Sequence, residues 1–501
     1  MRIPQNSLPF CFLILVLFSS SVLFTTTEGA QSAMFPSSHK KSPVLRTSPK
    51  SCGILSALVS HAASRCDNFL LGSRCCKSLY GIVIPPLLVF LFGTLGCQAS
   101  VMNQQPISIS GPFFQGWLMR TVDHANSRSM ILIIGSFSSR GSSCYDEHYI
   151  FCGLSTKAEG TYHFEAFPER NSVTVTGSAP SVQTLMANFR PSLSKETNIT
   201  WSVKDVGYFK FNDEECSADF KLGGAHIKLS TKKRKPWSKS NIYSAGPEGW
   251  LGYTALLPCH YFVHSVGSDC SYVMRLPLKN EDFSDRRNAP SATDLSQNNV
   301  EAREFVGSGY THIEGNYGSF FPSGWVWSQA ISPSNRASFS LTGGKFEIGI
   351  FAPITFILYV RIGEKTKIFR TTGLDSFTYD VDGIIGYTKI IAHSLSKRDR
   401  VEVIIRPKST IAKGSFGPPL YIPTANGFRN NPGCIETYTA DADVTCLELD
   451  EKTLEYVEKS HTSFPLTALE FGGSFQGIRS QSRIKISDLQ ITPMGIQSDQ
   501  L

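Results

Sequence analysis

From residue 111 onward, apolar and polar positions alternate over short runs, and glycine, proline, asparagine or serine ends each run. SMILIIGSFSS (129–139), AHIKLS (225–230), HYFVHSV (260–266), SYVMRLPL (271–278), TFILYVRIG (355–363), VEVIIRP (401–407) and DVTCLELD (443–450) are rich in β-branched and aromatic residues. Such side chains suit a pleated, half-buried surface, so these runs predict strands. YHFEAF (162–167), SVTVTGS (172–178), ASFSLTG (337–343), KIFRTTG (367–373) and RIKISDLQI (483–491) extend the series. Helical periodicity is scarce; DEKTLEYVEKS (450–460), with Leu454 and Val457 on one side, is its best example. Many short strands at near-regular spacing predict an all-β sandwich or barrel.

Two stretches break the pattern. Residues 279–304 are polar and turn-rich, which predicts an insertion. Residues 408–433 are Gly/Pro-rich yet keep apolar side chains, and a long, partly apolar loop is more often functional than idle.

The composition adds an apolar emphasis. Hydrophobic residues make up 41% of the chain and charged residues 18%, below the soluble average of about 25%, and there are 34 phenylalanines. A wide apolar interior or an apolar ligand fits these figures. Of the net charge of +7, six come from residues 1–97, where eight Lys/Arg face two Asp/Glu; the remainder holds 40 against 39. A near-neutral body excludes nucleic acid as the main partner. The KKRK run (232–235) is expected to be a solvated loop.

The N-terminus carries addressing features. Residues 1–29 read as a signal peptide, apolar over 8–24 and ending in small residues. Residues 30–80 are basic and serine-rich like an organelle transit segment. Residues 81–97 are apolar but contain Pro85 and Pro86, at the short limit of a membrane span. Together they predict delivery to a plastid through the secretory pathway with membrane association, or else an endomembrane residence. Of the thirteen cysteines six lie in 1–97, and the remaining seven form no CxxC, so neither a zinc site nor a disulfide scaffold is indicated.

The densest chemistry lies in HIEGNYGSFFPSGWVWSQ (312–329), where Glu314 sits among Tyr317, Phe320, Phe321, Trp325 and Trp327. With Asn316, Gly318, Phe321, Pro322, Trp325, Trp327 and Gln329, it resembles the E-K-N-W-G-x-x-F-P-x-x-W-x-W-x-Q motif of tocopherol cyclases; Gly315 and Tyr317 depart from it. GPFFQGWLMR (111–120) is similar to that family's F-F-E-G-W-Y strand, with Gln115 for Glu. GPEGWLGYTALLPCHYFVHS (246–265) is similar to its G-W-x-x-x-F-P-V-F-E-P-H-W stretch, with His260 on the family histidine and Pro258 in place of a glutamate. GPPLYIPT (417–424) is similar to G-x-P-L-R-A-P-T, and Cys434 with Glu436 follows where a second cysteine-containing segment is expected.

The resemblance implies two lipocalin-like antiparallel β-domains in tandem, over 101–250 and 251–497, a fold shared with carotenoid hydratases. It implies closure of a chromanol ring on a prenylated benzoquinol, with no redox change and no cofactor. The partner would be that lipid, presented at a membrane or lipid-droplet surface.

That chemistry asks for definable residues. Alkene protonation needs a carboxylic acid kept neutral by apolar surroundings, and Glu314 is expected to supply it. The tertiary cation needs aromatic faces; Trp325 and Trp327, two apart, share one face of a strand, and Trp117 would join the wall. Loss of the phenol proton needs a base, for which His260 is expected, with His264 on its face. Tyr317, Asn316 and Gln329 complete the substrate contacts, and no third ligand makes a metal site of the histidines. A hydratase using water as nucleophile, or a lipid carrier without turnover, are the competing functions; Pro258, Gln115 and Gly315 favour the carrier.

Overall fold

A computed structural model describes residues 113–139, 146–156, 160–178, 198–212, 214–237, 246–249, 257, 259–277, 302–347, 352–408, 417–424, 427–428, 432–476 and 479–484. The three N-terminal segments and Pro258 lie outside these residues, as do most of the 279–304 insertion and the C-terminal part of the 483–491 run. No helix among the described residues is long and apolar enough to cross a membrane.

The alternating runs become strands of two antiparallel sheets. The first contains β1 (Phe113–Asp123), β2 (Arg128–Ser138), β3 (Glu147–Thr156), β4 (Gly160–Ala166), β5 (Val173–Ser178), β6 (Asn198–Val203), β7 (Gly207–Asn212), β8 (Cys216–Leu222), β9 (Ala225–Lys232), β10 (Cys259–Pro277) and β11 (Ala302–Gly318). They lie in the order β4-β3-β2-β1-β11-β10-β9-β8-β7-β6-β5. The sheet curls on itself. Trp201 of β6 donates to Ser136 Oγ of β2 at 2.9 Å, and the Trp117 and Phe209 rings meet at 5.8 Å across the interior.

The second sheet contains β12 (Gly324–Ile331), β13 (Ala337–Lys345), β14 (Ile354–Ile362), β15 (Lys365–Arg370), β16 (Ser376–Asp382), β17 (Tyr387–His393), β18 (Asp399–Arg406), β20 (Pro432–Leu449), β21 (Tyr456–Gly473) and β22 (Arg479–Ile484). Short β19 (Pro419–Tyr421) pairs with β20 to one side. This sheet curls too, since Phe356 of β14 stacks on Phe377 of β16 at 5.5 Å. The all-β tandem of curled sheets is the fold class expected from the sequence; only short 3-10 turns, such as Arg170–Ser172, interrupt the strands.

Three expectations change. The change of sheet, expected at residue 250, falls between Gly318 and Gly324, and β10 and β11 close the first sheet against β1. The 450–460 run is no helix: 451–453 is a turn, Leu454 is left-handed at φ 59°, and β21 begins at Tyr456. Leu454 and Val457 are exposed, so their spacing marks no buried face. The KKRK run is no free loop either. Arg234 Nε donates to His264 O at 2.7 Å, and Lys235 Nζ reaches Asn335 O of the second sheet at 3.2 Å.

Each sheet encloses its own apolar core. A third core lies between the sheets, where Phe114, Phe151 and Tyr149 of the first meet Trp325, Trp327 and Tyr438 of the second. β12 is buried along its whole length because it serves two cores: Val326 points into the second sheet, and Trp325 and Trp327 point out toward the first. Gly472 stands opposite Trp325 in the ladder, where any Cβ would strike the indole.

Candidate functional site

A cavity of about 180 Å³ opens in this seam. Phe114, Tyr149, Phe321, Trp325, Trp327 and Phe428 give it aromatic walls. Ligand pockets commonly span about 300–1,000 Å³, so this one suits a ring-sized head group rather than a whole long-chain lipid. Leu420, Tyr421, Ile422 and Pro423, from the partly apolar 408–433 loop, line one side.

The outer face of β11 delivers the central group. Glu314 pairs with Leu118 of β1 and Val263 of β10, and it is 2% exposed. Its Oε2 accepts from Tyr261 Oη at 2.6 Å and from Trp327 Nε1 at 3.1 Å, and lies 2.6 Å from His312 Nε2. Tyr261 is one row along on β10, facing the same cavity, and its hydroxyl also meets Ser340 Oγ at 3.2 Å. Burial, and then the neighbouring Glu314 charge, push the Tyr261 phenol well above its ordinary range, so it stays protonated and donates. An indole N–H can only donate. Glu314 is therefore not stranded among apolar rings, as the sequence suggested. Its Oε2 is ringed by polar partners.

A second carboxylate enters from the 246–249 turn. Glu248 lines the cavity, its Oε1 accepts from Tyr261 N at 2.7 Å, and its Oε2 lies 2.8 Å from His260 Nδ1. The His260 ring stacks on Tyr317 at 5.0 Å and does not line the cavity. His260 thus stands behind Glu248. Both groups are nearly inaccessible. Pro258 replaces the carboxylate of the resembling motif, and Glu248 puts another against the same histidine.

A third carboxylate comes from β21. Glu470 lines the cavity, accepts from Trp325 Nε1, and lies directly opposite Glu436 of β20 in the ladder. Burial, with the Glu314 charge adding to it, raises the Glu470 carboxyl to about 7. Glu436 is wholly buried; the Tyr438 hydroxyl lies near enough to favour its charged form, but neither of its oxygens meets a donor in full hydrogen-bond geometry among the described residues. Burial and the Glu470 charge push it well above the carboxylate range. Arg120 crosses the seam nearby. It donates to Gln329 Oε1 at 2.6 Å, to Gln329 O at 3.1 Å and to Leu466 O. Its burial lowers the guanidinium to about 9 despite the opposing Glu436 charge.

The residues named from sequence therefore divide. Glu314, Asn316, Trp325 and Trp327 line the cavity. Trp117 borders it, but its ring packs on Phe209 in the first-sheet core. His260, Tyr317, His264 and Gln329 do not line it. His264 lies edge-on to Phe211 at 4.1 Å inside the first sheet, where burial holds it neutral. Gln329 instead receives Arg120.

Tyr261, Glu248 and Glu470 went unnamed. The first two lie in the 246–265 motif, where a search for polar side chains beside His260 would have reached them. Glu470 gave no local signal, because only strand register sets it against Glu436.

No family model and no curated protein matches the chain. Among solved structures, CghA in complex with Sch210972 is similar at 9% identity, over 76% of this chain and 95% of that one, with a TM-score of 0.46. Kievitone hydratase from Nectria haematococca is similar at 10% identity, over 75% and 93%, with a TM-score of 0.37.

Proposed function

We propose that the protein is a tocopherol-cyclase-like enzyme that closes a ring on a prenylated benzoquinol by protonating its alkene and capturing the cation with the phenol oxygen. The observation that carries this is Glu314, which lines an aromatic-walled cavity beside Tyr261 and has His312 behind it. The motif resemblance supplies the substrate class, and the geometry supports it. Trp325 and Trp327 can present electron-rich faces to a cation, each contact contributing roughly 0.5–2 kcal/mol. As the phenol attacks, its proton passes to Tyr261 while the Tyr261 proton moves to Glu314, with His312 beyond. The cavity holds the quinol head and the reacting double bond, and the rest of the chain leaves the protein. A membrane or lipid-droplet surface, in a plastid or an endomembrane compartment, would supply such a lipid.

The test is incubation of the full chain with a panel of prenylated quinols, followed by mass spectrometry of the products. A chromanol isomeric with its substrate is expected. Glu314→Gln should lower its formation by about 100-fold or more, the usual range for a lost acid–base group. An alcohol one water heavier would make the protein a hydratase, and tight binding without conversion would make it a carrier. Wild-type product no greater than that of the variant would sink the proposal.

A further inference from the structure

We infer that Glu470 is the proton donor of this site, with Glu436 behind it as a second carboxyl group. This deepens the cyclase proposal and rests on it. The register places Glu436, Glu470 and Trp327 in one row across β20, β21 and β12, all on the face toward the first sheet. Glu470 opens into the cavity, and the Trp325 indole orients its Oε1. Glu436 is 0% exposed, and apart from the nearby Tyr438 hydroxyl no donor approaches either oxygen among the described residues. Arg120 donates to two carbonyl oxygens and an amide oxygen, none of them a carboxylate.

Two carboxyl groups facing each other across a dry ladder, with a third at Glu314 within electrostatic reach, cannot all be ionised. Glu314 Oε2 accepts from Tyr261 and Trp327, whereas Glu470 accepts from Trp325 and Glu436 from no donor in full hydrogen-bond geometry among the described residues, so the β20–β21 pair is the poorer in donors. Only Glu470 of that pair lines the cavity.

The step balances. The Glu470 O–H bond breaks and its proton forms a C–H bond at the less substituted alkene carbon, using the π electron pair. The more substituted carbon becomes the cation beside Trp325 and Trp327. The phenol oxygen forms the new C–O bond, and its proton goes through Tyr261 to Glu314. One proton has left Glu470 and one has arrived at Glu314, so the reaction is an isomerisation. Release of that proton from Glu314 to water and uptake of one by Glu470 reset the site.

Infrared spectroscopy of the full chain tests the protonation without any substrate. Wild type should show a protonated-carboxyl band that disappears as pH rises through about 7. That band should be absent from Glu470→Gln and should titrate at lower pH in Glu314→Gln, where a like charge is gone. A second carboxyl band should persist above neutral pH and vanish in Glu436→Gln. No neutral-range band, or one that survives in Glu470→Gln, overturns the assignment. In turnover, Glu470→Gln should lose roughly 100- to 10,000-fold in kcat with KM little changed, and it should abolish the activity loss near neutral pH. Wild-type turnover that Glu470→Gln retains overturns the donor role while leaving the cyclase proposal intact. No wild-type turnover on any prenylquinol overturns both the proposal and the donor role, and the infrared titration still decides the carboxyl pair.

Discussion

The interior of the first sheet and the seam between the sheets are equally dry and equally aromatic, yet they treat polar groups in opposite ways. In the interior, the polar groups around Trp201 are matched and silenced, although Trp117 Nε1 is not. Ser136 Oγ accepts from Trp201 and meets His148 Nδ1 at 2.9 Å, and burial lowers that histidine to about 4. In the seam, Arg120 and Glu436 are as buried and Glu470 is half-buried at the cavity, but matching is incomplete: Arg120 Nε and both Glu436 oxygens lack a partner in full hydrogen-bond geometry among the described residues. A cavity opens beside the incompletely matched groups. Burial alone marks no site here. Burial with unmet polar demand, next to space, does.

Breaking the interior should give the largest effect on stability. Trp201→Ala removes a wholly buried indole and its bond to Ser136, and should destabilise by about 3–5 kcal/mol in urea unfolding. Turnover per folded molecule should stay near wild type. Arg120→Met should follow at about 2 kcal/mol, because it leaves Gln329 Oε1 and Leu466 O buried without their donor. A loss under about 1 kcal/mol would show that the seam relaxes around the missing cation.

Stability against pH should separate the two regions next. Glu470 is raised from 4.5 unfolded to about 7 folded, so its contribution is fully present below pH 4.5 and is lost as pH rises through about 7. The span corresponds to about 3 kcal/mol. His148 is lowered from 6.5 to about 4, so its contribution is present above pH 6.5 and is lost as pH falls through about 4, with a magnitude of the same order. Urea midpoints should therefore lose their neutral-side decline in Glu470→Gln and their acid-side decline in His148→Phe. Unchanged profiles would remove the contrast.

The smallest effect should come from Trp325→Phe. The indole N–H favours the charged Glu470, so its loss should move the neutral-range titration upward by about one pH unit. A downward shift would mean that the ring, not the N–H, governs the group.

The strands were legible because period-two alternation is a direct imprint of a half-buried sheet. Where that imprint fails, the cause is local. HYFVHSV and SYVMRLPL are one strand, β10, because bulges between Val263 and Ser265 and between Val266 and Ser268 re-register the chain instead of ending it. The 450–460 run mimicked a helix because exposed Leu454 and Val457 happen to be three apart. Glu314 and the Trp325–Trp327 pair could be found from one segment, but alternation does not say which face is the lumen. Both faces of β12 are apolar, since one fills a sheet and the other fills the seam. His260 looked like a base because its neighbour Glu248, twelve residues earlier, was invisible as a partner. The Glu436–Glu470 pairing depends on long-range register, which no local pattern encodes.

The central claim is that the seam cavity delivers a solvent-derived proton to a substrate alkene. The most direct measurement is turnover of a prenylated quinol by the full chain in heavy water, read by mass spectrometry. A chromanol carrying one non-exchangeable deuterium at the former alkene carbon, absent with Glu314→Gln and with Glu470→Gln, is the predicted result. Unlabelled chromanol, or labelled product formed equally by the variants, would contradict it.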